Sequence, residues 1–247
     1  MELNTFSIVA RCAATGHLGV AVATAVPAVG SMCPFTMAAT GAVSTQSWVN
    51  PYLALAVLDR LAGGEDAEVA LAAVLAEDEA ADLRQIGVVD GAGRASAWTG
   101  AACTPWAGHI VGEDFAVQGN MLTGPEVIDA MAAAFRTSAG EPLDERLMRA
   151  LEAGDAAGGD RRGKQSAALR VHGSEAYPLL DIRADEHAAP VGELRRILGI
   201  ARLQLMPFVA HMPKRGQPAG PQPAAVTDVL ALAPPDRPGG GGAYPAR

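Results

Sequence analysis

Two strand-like segments lie close together at the start of the chain, and their spacing constrains the fold more than any other feature of the sequence. Residues 5–11 and 18–24 alternate in polarity, and Thr15-Gly16 between them is typical of a tight turn. The pattern predicts an antiparallel β-hairpin. Further strand pairs are predicted at 84–90 with 94–99 and at 166–172 with 178–183, and single strands at 41–47 and 115–119.

Helical segments come in pairs between the strand pairs. Asn50 and Pro51 are typical of an N-cap and a first helical position, and this helix is predicted to run to about Leu61. The other predicted helices cover 65–77, 124–138, 142–153 and 190–206. The element order predicts an α+β chain with two stacked antiparallel sheets and helices outside, a four-layer αββα sandwich. Periodicity alone leaves a plain α+β sandwich as the alternative.

Composition matters here for what it excludes. A formal net charge of −8 argues against nucleic acid and acidic membrane surfaces as partners, because both require a basic protein surface. We expect no signal peptide, because no N-terminal segment combines a basic start with a long apolar middle, and no apolar run approaches the roughly 18 residues of a membrane span. The three cysteines are irregularly spaced, which fits neither a disulfide framework nor a zinc site. We therefore expect a cytoplasmic protein without metal or organic cofactor.

The end of the chain differs from the rest in composition. Residues 212–247 are dense in Pro and Gly, which predicts a disordered tail after a single domain at 1–211. Within the tail, residues 224–233 could instead form a short docking helix. A protein-interaction role for the tail is the function that this alternative implies.

Five blocks of sequence, taken together and in order, resemble a known protein family. They are TFSIVARCAATGHLGVAVAT at 5–24, GAVSTQSWVNP at 41–51, ACTPWAGH at 102–109, AVQGNML at 116–122 and GGDRRGKQSAAL at 158–169. Over about residues 5–205 the chain resembles the DUF1028 family, whose members are largely of unknown activity. The resemblance implies a fold of the Ntn-hydrolase type, and homodimers are an expectation of the same resemblance.

Thr5 matches the threonine that members of this family often carry directly after the initiator Met. In an Ntn hydrolase this residue attacks a carbonyl, and its free α-amino group, with a pKa of roughly 7.7–8.0, takes the proton. In this chain Glu2, Leu3 and Asn4 precede Thr5, so removal of Met1 alone would leave its nitrogen in a peptide bond. Three alternatives follow: the Asn4–Thr5 bond is cleaved, the start codon is misassigned, or Thr5 is an ordinary strand residue.

Polar residues on nearby strands are candidates for binding a substrate. Ser7 shares a strand face with Thr5, since the two are two residues apart. Thr45 and Gln46 end a strand just before a helix, where a hydroxyl and an amide can bind a carbonyl or carboxylate. Cross-strand pairing is the structural explanation for the same residues.

Two loops supply the remaining candidates. Asn120 follows Gly119 and could stabilise an oxyanion, although a tight turn explains the same pair. In the glycine-rich loop at 158–165, Asp160 could hold Arg161 or orient the terminal amine, and Arg161 could anchor a carboxylate. Gln165 lies where this loop meets a strand and is a further binding candidate.

Other residues of chemical interest have structural explanations. Cys103 and His109 could form a nucleophile–base pair, although a buried cysteine near a loop histidine is commoner. Trp48, Trp98 and Trp106 could line a pocket, and filling the core is the usual role of tryptophan.

Two functions fit these residues. The first is an amide (C–N) bond hydrolase in which Thr5 attacks, Asn120 and Asp160 assist, and Ser7, Thr45, Gln46, Arg161 and Gln165 bind a small, possibly anionic substrate. The second is a non-catalytic protein that binds a small metabolite on the same fold. The three residues before Thr5 favour the second function, and the polar residues at strand ends favour the first.

Overall fold

The computed structural model describes residues 2–3, 5–218 and 220–240 of the 247-residue chain. The chain divides into two compact units, residues 1–194 and 195–247. The tail predicted from residue 212 falls in the second unit, where the described residues include a helix at Ala224–Ala231. Part of that tail, residues 219 and 241–247, lies outside the described residues, and the domain boundary at 211 stays a prediction.

The strands and helices predicted from the sequence are present in the predicted order, and the described residues form three further strands and one further short helix. The strands are β1 (Glu2–Leu3), β2 (Thr5–Arg11), β3 (Leu18–Thr24), β4 (Pro34–Met37), β5 (Gly41–Trp48), β6 (Arg84–Asp90), β7 (Ala95–Thr99), β8 (Gly108–Gly112), β9 (Phe115–Gly119), β10 (Ser166–His172) and β11 (Pro178–Ala184). The helices are α1 (Pro51–Ala62), α2 (Ala67–Ala76), α3 (Glu126–Thr137), α4 (Leu143–Ala156), α5 (Pro190–Gln204), α6 (Met206–Val209) and α7 (Ala224–Ala231).

The strands form two antiparallel sheets. In the first sheet the order is β1-β5-β6-β7, and β4 also pairs with β5. In the second sheet the order is β11-β10-β3-β2-β9-β8. The predicted hairpin is present, with Thr5 opposite Thr24 and Arg11 opposite Leu18. The chain is therefore a mixed α/β protein with antiparallel sheets, as the sequence predicts at that level.

Strands β4 and β8 were not predicted from the sequence. β4 has four residues and begins with Pro34, which lacks the backbone N–H that a strand uses for pairing. β8 is bounded by Gly108 and Gly112, which weaken any strand signal. Both strands pair with a longer neighbour, β5 and β9 respectively, so tertiary pairing rather than local preference forms them.

Helices α1 and α2 pack on the first sheet. The side chain of Asn50 accepts a hydrogen bond from the Tyr52 N–H at 3.1 Å, and Asp66 accepts one from the Val69 N–H at 2.9 Å, so each helix has a side-chain N-cap. Their apolar residues, including Val57, form one buried cluster with Val43, Ile86 and Val88 of β5 and β6.

Helices α3 and α4 lie against the second sheet. Leu147 of α4 lies against Gly19 of β3, and Gly154 of α4 is in contact with Phe6 of β2 and Met131 of α3. A third apolar cluster joins the two sheets directly, through residues such as Val9 and Val20 on one and Ala42 and Val89 on the other. None of the helices in the described part of the chain is long and apolar enough to cross a membrane.

Gly87 of β6 lies where the sheets approach closely, and the Gln118 carboxamide occupies the place of its missing side chain. We expect Gly87→Ala to destabilise the protein by about 1–3 kcal/mol, because a Cβ there overlaps Gln118 and the packed sheets cannot separate freely. Urea unfolding would measure the change. Gly192→Ala is the control, since nothing lies within 4 Å of a Cβ there and alanine favours the helix by about 1 kcal/mol. Equal stability of the Gly87→Ala variant and the parent would contradict the close approach.

His172 connects β10 to β4, with its Nδ1 2.6 Å from the Thr36 hydroxyl. Burial, followed by the charge of Arg170, lowers the pKa of His172 from its usual 6.5, so the ring stays neutral to a lower pH in the folded protein than in the unfolded chain. Because the unfolded chain takes up this proton as the pH falls through 6.5, the stabilisation is complete above that pH and declines below it.

We therefore expect the His172→Gln variant to lose less stability than the parent between about pH 7.5 and about pH 5.5, measured by urea midpoints. His187→Gln, at an exposed position, serves as the control and should follow the parent. A His172→Gln variant with the full pH dependence of the parent would rule out this explanation.

Candidate functional site

Thr5 is fully buried at the first position of β2. Its backbone N–H donates to the side-chain Oδ1 of Asn120 at 3.1 Å and to the Asn120 carbonyl at 3.3 Å. Its hydroxyl donates to the hydroxyl of Thr24 at 3.2 Å, across the hairpin. Both the nitrogen and the hydroxyl of Thr5 therefore face polar groups, and not the apolar core that surrounds most of β2.

A hydrogen-bonded group of buried side chains lies next to Thr5 and joins the two sheets. Ser7 donates to Gln46 Oε1 at 2.6 Å and accepts from Gln118 Nε2 at 2.6 Å. Gln46 Nε2 donates to the Thr5 carbonyl at 3.2 Å and to Gln85 Oε1 at 2.7 Å. These residues have no solvent exposure. Loss of any of these hydrogen bonds would leave a polar group unsatisfied away from water, which costs free energy of folding.

Gln85 also belongs to this group, and the sequence analysis did not select it as a candidate. Its Nε2 donates to the Gly119 carbonyl at 2.8 Å and to the Thr99 hydroxyl at 2.9 Å, which extends the group toward β7 and β9. Gln85 lies opposite Gln46 in the pairing of β5 with β6, and only that pairing identifies it. Thr24, opposite Thr5, could have been found from the register of the predicted hairpin.

Two residues beside this group have a left-handed backbone. Ser47 has a φ of +65° and directly follows Gln46, while Met121 has a φ of +53° and directly follows Asn120. A residue other than glycine in this region stores about 1–3 kcal/mol of strain, and such residues concentrate at functional sites. The hydroxyl of Ser47 is also buried without a hydrogen-bond partner among the described residues.

The loop at 158–165 brings a buried carboxylate to the same end of the strands. Asp160 Oδ2 accepts from the Ala25 N–H at 3.2 Å, one residue beyond Thr24. Asp160 also bridges to Leu122, two residues beyond Asn120. The carboxylate pairs with Arg162, through Nη2 at 3.1 Å and Nε at 3.3 Å, and not with Arg161 as the sequence suggested.

The loop's other candidates lie at its surface and its end. Arg161 is exposed, and its backbone N–H donates to the Met121 carbonyl at 3.2 Å. Gln165 is half-buried, and its backbone N–H donates to the Thr24 carbonyl at 2.7 Å. The geometry thus gathers Thr5, Ser7, Gln46 and Asn120 directly, with Asp160, Arg161 and Gln165 beside them.

A family model described as "Family of unknown function (DUF1028)" matches residues 5–194, which covers most of the chain. The chain belongs to the DUF1028 family. The crystal structure of protein SPO2555 from Silicibacter pomeroyi, also DUF1028, is similar, with a TM-score of 0.80 and 28% identity over 87% of this chain and 93% of that one. The two DUF1028 proteins therefore share their fold.

A second similar structure is more distant. Anbu (ancestral beta-subunit) from Yersinia bercovieri aligns over 84% of this chain and 98% of that one, with 11% identity and a TM-score of 0.38, which is too weak to assign a fold. A search of curated proteins finds no match.

Some predicted site residues of this DUF1028 protein lie elsewhere. Thr45 is on the opposite face of β5 from Gln46, and its hydroxyl is 3.4 Å from the Asn50 carbonyl that begins α1. Cys103 donates to the Arg84 carbonyl at 3.3 Å, while His109 is 2.9 Å from the Thr99 hydroxyl. Cys103 and His109 thus have separate partners, and burial lowers the pKa of His109.

Within the described residues, no group of three or more His, Cys, Asp and Glu side chains could hold an ion. The groups that the described residues place beside Thr5 are hydroxyls, carboxamides and the buried carboxylate of Asp160.

Of the three tryptophans, Trp48 and Trp98 are partly exposed, at 39% and 37%.

Ser7 forms hydrogen bonds with two glutamines from different strands, Gln46 and Gln118. Substitution of Ser7 therefore tests how much the buried hydrogen bonds stabilise the protein. We expect Ser7→Ala to destabilise the protein by about 1–3 kcal/mol, because Gln46 and Gln118 each lose a hydrogen-bond partner away from water. Chemical unfolding would measure the difference. Ser174→Ala, at an exposed position, is expected to stay within about 0.5 kcal/mol of the parent. If both variants are equally stable, the hydrogen bonds of Ser7 contribute nothing to the free energy of unfolding.

Proposed function

We propose that this protein is an amide (C–N) bond hydrolase of the N-terminal-nucleophile type, built on a four-layer αββα sandwich and acting on a small, anionic substrate. The observation that carries the proposal is the position of Thr5. Its hydroxyl and its nitrogen both lie within hydrogen-bond distance of polar side chains, at 3.2 Å from Thr24 and 3.1 Å from Asn120. The two contacts bring both groups that an N-terminal nucleophile uses, its hydroxyl and its nitrogen, next to polar side chains at one end of β2.

The proposed chemistry requires a free amine on Thr5. The nitrogen of a peptide bond cannot take a proton, because its lone pair is delocalised into the carbonyl. Cleavage of the Asn4–Thr5 bond would place an α-amine where the N–H now meets Asn120 Oδ1. Asn120 would then hold the amine toward the Thr5 hydroxyl, a role that differs from the oxyanion contact expected from the sequence. Asn4 itself lies outside the described residues.

The reaction then follows the general course of acyl transfer. The Thr5 hydroxyl oxygen forms a bond to the substrate carbonyl carbon while its proton passes to the α-amine. The C–N bond breaks, and the amine delivers that proton to the departing nitrogen. Water hydrolyses the resulting ester and restores Thr5. Ser7 and Gln46 keep the backbone of β2 in place during these steps, since Gln46 donates to the Thr5 carbonyl.

The loop beside Thr5 supplies a means of recognising the substrate. Arg161 is exposed next to the buried Asp160, and a guanidinium binds a carboxylate through two parallel hydrogen bonds. We assign Arg161 to the anionic end of the substrate, with Gln165 beside it. Asp160, fixed by Arg162 and by the Ala25 N–H, keeps the loop against the ends of β3 and β9.

The alternative, a non-catalytic protein that binds a small metabolite, is favoured by a different observation. In the chain as described, Thr5 is fully buried, and β1 precedes it in the first sheet, paired with Ser47 and Trp48. A protein that keeps these residues has no terminal amine at Thr5 and no open path to its hydroxyl. Cytoplasmic location and a homodimer remain expectations of both functions.

Intact-mass spectrometry of the purified protein separates the two functions. We expect a chain that begins at Thr5. We also expect it to hydrolyse small N-acyl amino acids, with a kcat/KM that rises with pH and has an apparent pKa of about 8, the value of an α-amine. Thr5→Ala should lose at least about 1,000-fold in kcat, because the nucleophile is gone. Thr137→Ala, exposed on α3, is the control and should be processed and active.

Two other results are informative. A protein that retains Glu2-Leu3-Asn4 and hydrolyses amides would overturn the terminal-amine mechanism. A protein that retains them, binds an anionic metabolite and shows no turnover would establish the alternative function.

A further inference from the structure

A cavity lies at the opposite end of β2 from Thr5. It has a volume of about 520 Å³ and is bordered by the turn after β2 and by α3 and α4. Thr5 and Arg11 are the first and last residues of the strand, and six steps of about 3.3 Å place the cavity about 20 Å from Thr5. The cavity is therefore separate from the site proposed for amide hydrolysis, and its size suits a small organic molecule.

Two phenylalanines form its apolar wall. Phe115 of β9 and Phe135 of α3 have ring centroids 5.0 Å apart with an angle of 46° between the rings. Both are almost fully buried, at 2% and 1% exposure, so only part of each ring borders the cavity. The small side chains of Ala13, Ala14 and Ala139 complete the apolar lining.

Two arginines border the same cavity, one over each ring. The Cζ atom of Arg136 is 5.1 Å from the centroid of Phe115, and that of Arg146 is 3.8 Å from the centroid of Phe135. A guanidinium stacked on a ring keeps its N–H groups at its edge, where they remain able to donate. The rings thus hold both guanidinium groups in place at the cavity wall.

Neither arginine has a carboxylate within 4.0 Å among the described residues, although Arg11 beside them pairs with Asp114 at 3.0 Å. Arg146 donates to the Phe135 carbonyl at 3.3 Å, and its Nε is buried without a partner. Burial lowers the pKa of Arg146, a sign that the charge has lost part of its hydration. An anion in the cavity would give both guanidinium groups a charged partner and would compensate Arg146 for the hydration that burial has removed.

The charge of the lining indicates how much negative charge a ligand can bring. Glu113 and Asp114 also border the cavity, and Arg11 neutralises Asp114. Two unpaired guanidinium groups and the exposed Glu113 leave a balance of about one positive charge. A single carboxylate matches this balance, whereas a phosphate dianion would leave an excess of negative charge in a partly enclosed space.

We propose that this cavity binds a small organic monocarboxylate, with its carboxylate on Arg136 and Arg146. Its apolar body would lie against the alanines of the lining and the exposed edges of Phe115 and Phe135. This inference goes beyond the proposed amide hydrolysis and does not depend on it. The binding site exists in the chain whether or not the bond before Thr5 is cleaved.

Cys12 provides a built-in reporter of occupancy. It borders the cavity and is half-buried, whereas Cys33 and Cys103 are buried. Burial acts to raise the pKa of the Cys12 thiol, but hydrogen bonds from Thr15 and the charge of Arg146 outweigh it and lower the pKa. Iodoacetamide should therefore alkylate Cys12 before the other two, because the thiolate is the reactive form.

The experiment measures the alkylation of Cys12 by mass spectrometry with and without phenylacetate. We expect saturable protection by phenylacetate and none by phenylacetamide, its neutral counterpart. Arg136→Gln, at an exposed position of α3, should weaken phenylacetate binding at least about tenfold, because it removes a charge-assisted hydrogen bond. Arg149→Gln, on the exposed face of α4 and paired with Glu145, is the matched control and should bind as the parent does.

Three outcomes would overturn the proposal. Equal protection by phenylacetamide would mean that the cavity recognises only the ring. Stronger protection by inorganic phosphate than by phenylacetate would identify a different class of anion. Unchanged binding by the Arg136→Gln variant, with its circular dichroism spectrum and unfolding midpoint intact, would place the carboxylate elsewhere.

Discussion

Hydrogen bonds among Ser7 and the carboxamides buried between the two sheets fix how the sheets stack, and the surroundings of Thr5 depend on these bonds. Gln46 comes from the first sheet and Ser7 and Gln118 from the second, so their bonds hold only when the sheets stack in one register. Apolar contacts alone would tolerate a shift, because aliphatic side chains pack in many ways. Directional bonds in a dry interior do not tolerate one.

The same bonds determine the surroundings of Thr5. Gln46 holds the Thr5 carbonyl, and Asn120 holds its N–H, so the first residue of β2 is fixed from both sheets. The left-handed residues Ser47 and Met121 follow these two side chains directly in sequence. Their strain is tolerated because the sheets on either side over-determine the backbone. A site that must hold a reacting atom within a fraction of an ångström benefits from such rigidity.

Sequence signals that act over a few residues predicted most of the strands and helices. Contacts between residues far apart in the sequence could not be predicted in this way. The turn at Thr15-Gly16 and the cap at Asn50 act over a few residues, and both the hairpin and α1 are where they were expected. Because side chains alternate along a strand, the sequence could have shown that Thr45 and Gln46 face opposite sides of β5. The two predicted binding residues therefore cannot both face the same site. Only the stacking of the sheets could show which side meets Thr5.

The loop at 158–165 illustrates the same limit in charge pairing. Two adjacent arginines follow Asp160, and the sequence offers no way to choose between them. In the structure the Arg162 N–H donates to Asp160 at 2.9 Å, so the chain turns back and brings the Arg162 guanidinium to the carboxylate. Arg161 is left at the surface as a consequence of this turn.

Two strands, β1 and β4, pair with different parts of the same edge of β5. For the proposed hydrolase, this arrangement affects which substrates could bind beside Thr5. β4 covers Gly41 to Ser44, while β1 covers only Ser47 and Trp48. Loss of the residues before Thr5 would leave the end of β5 with main-chain groups that lack a partner, directly beside the new terminus. An extended peptide backbone satisfies such groups by adding itself as a strand. For the proposed hydrolase, this edge would favour acyl amino acids and short peptides over amides that have no peptide backbone.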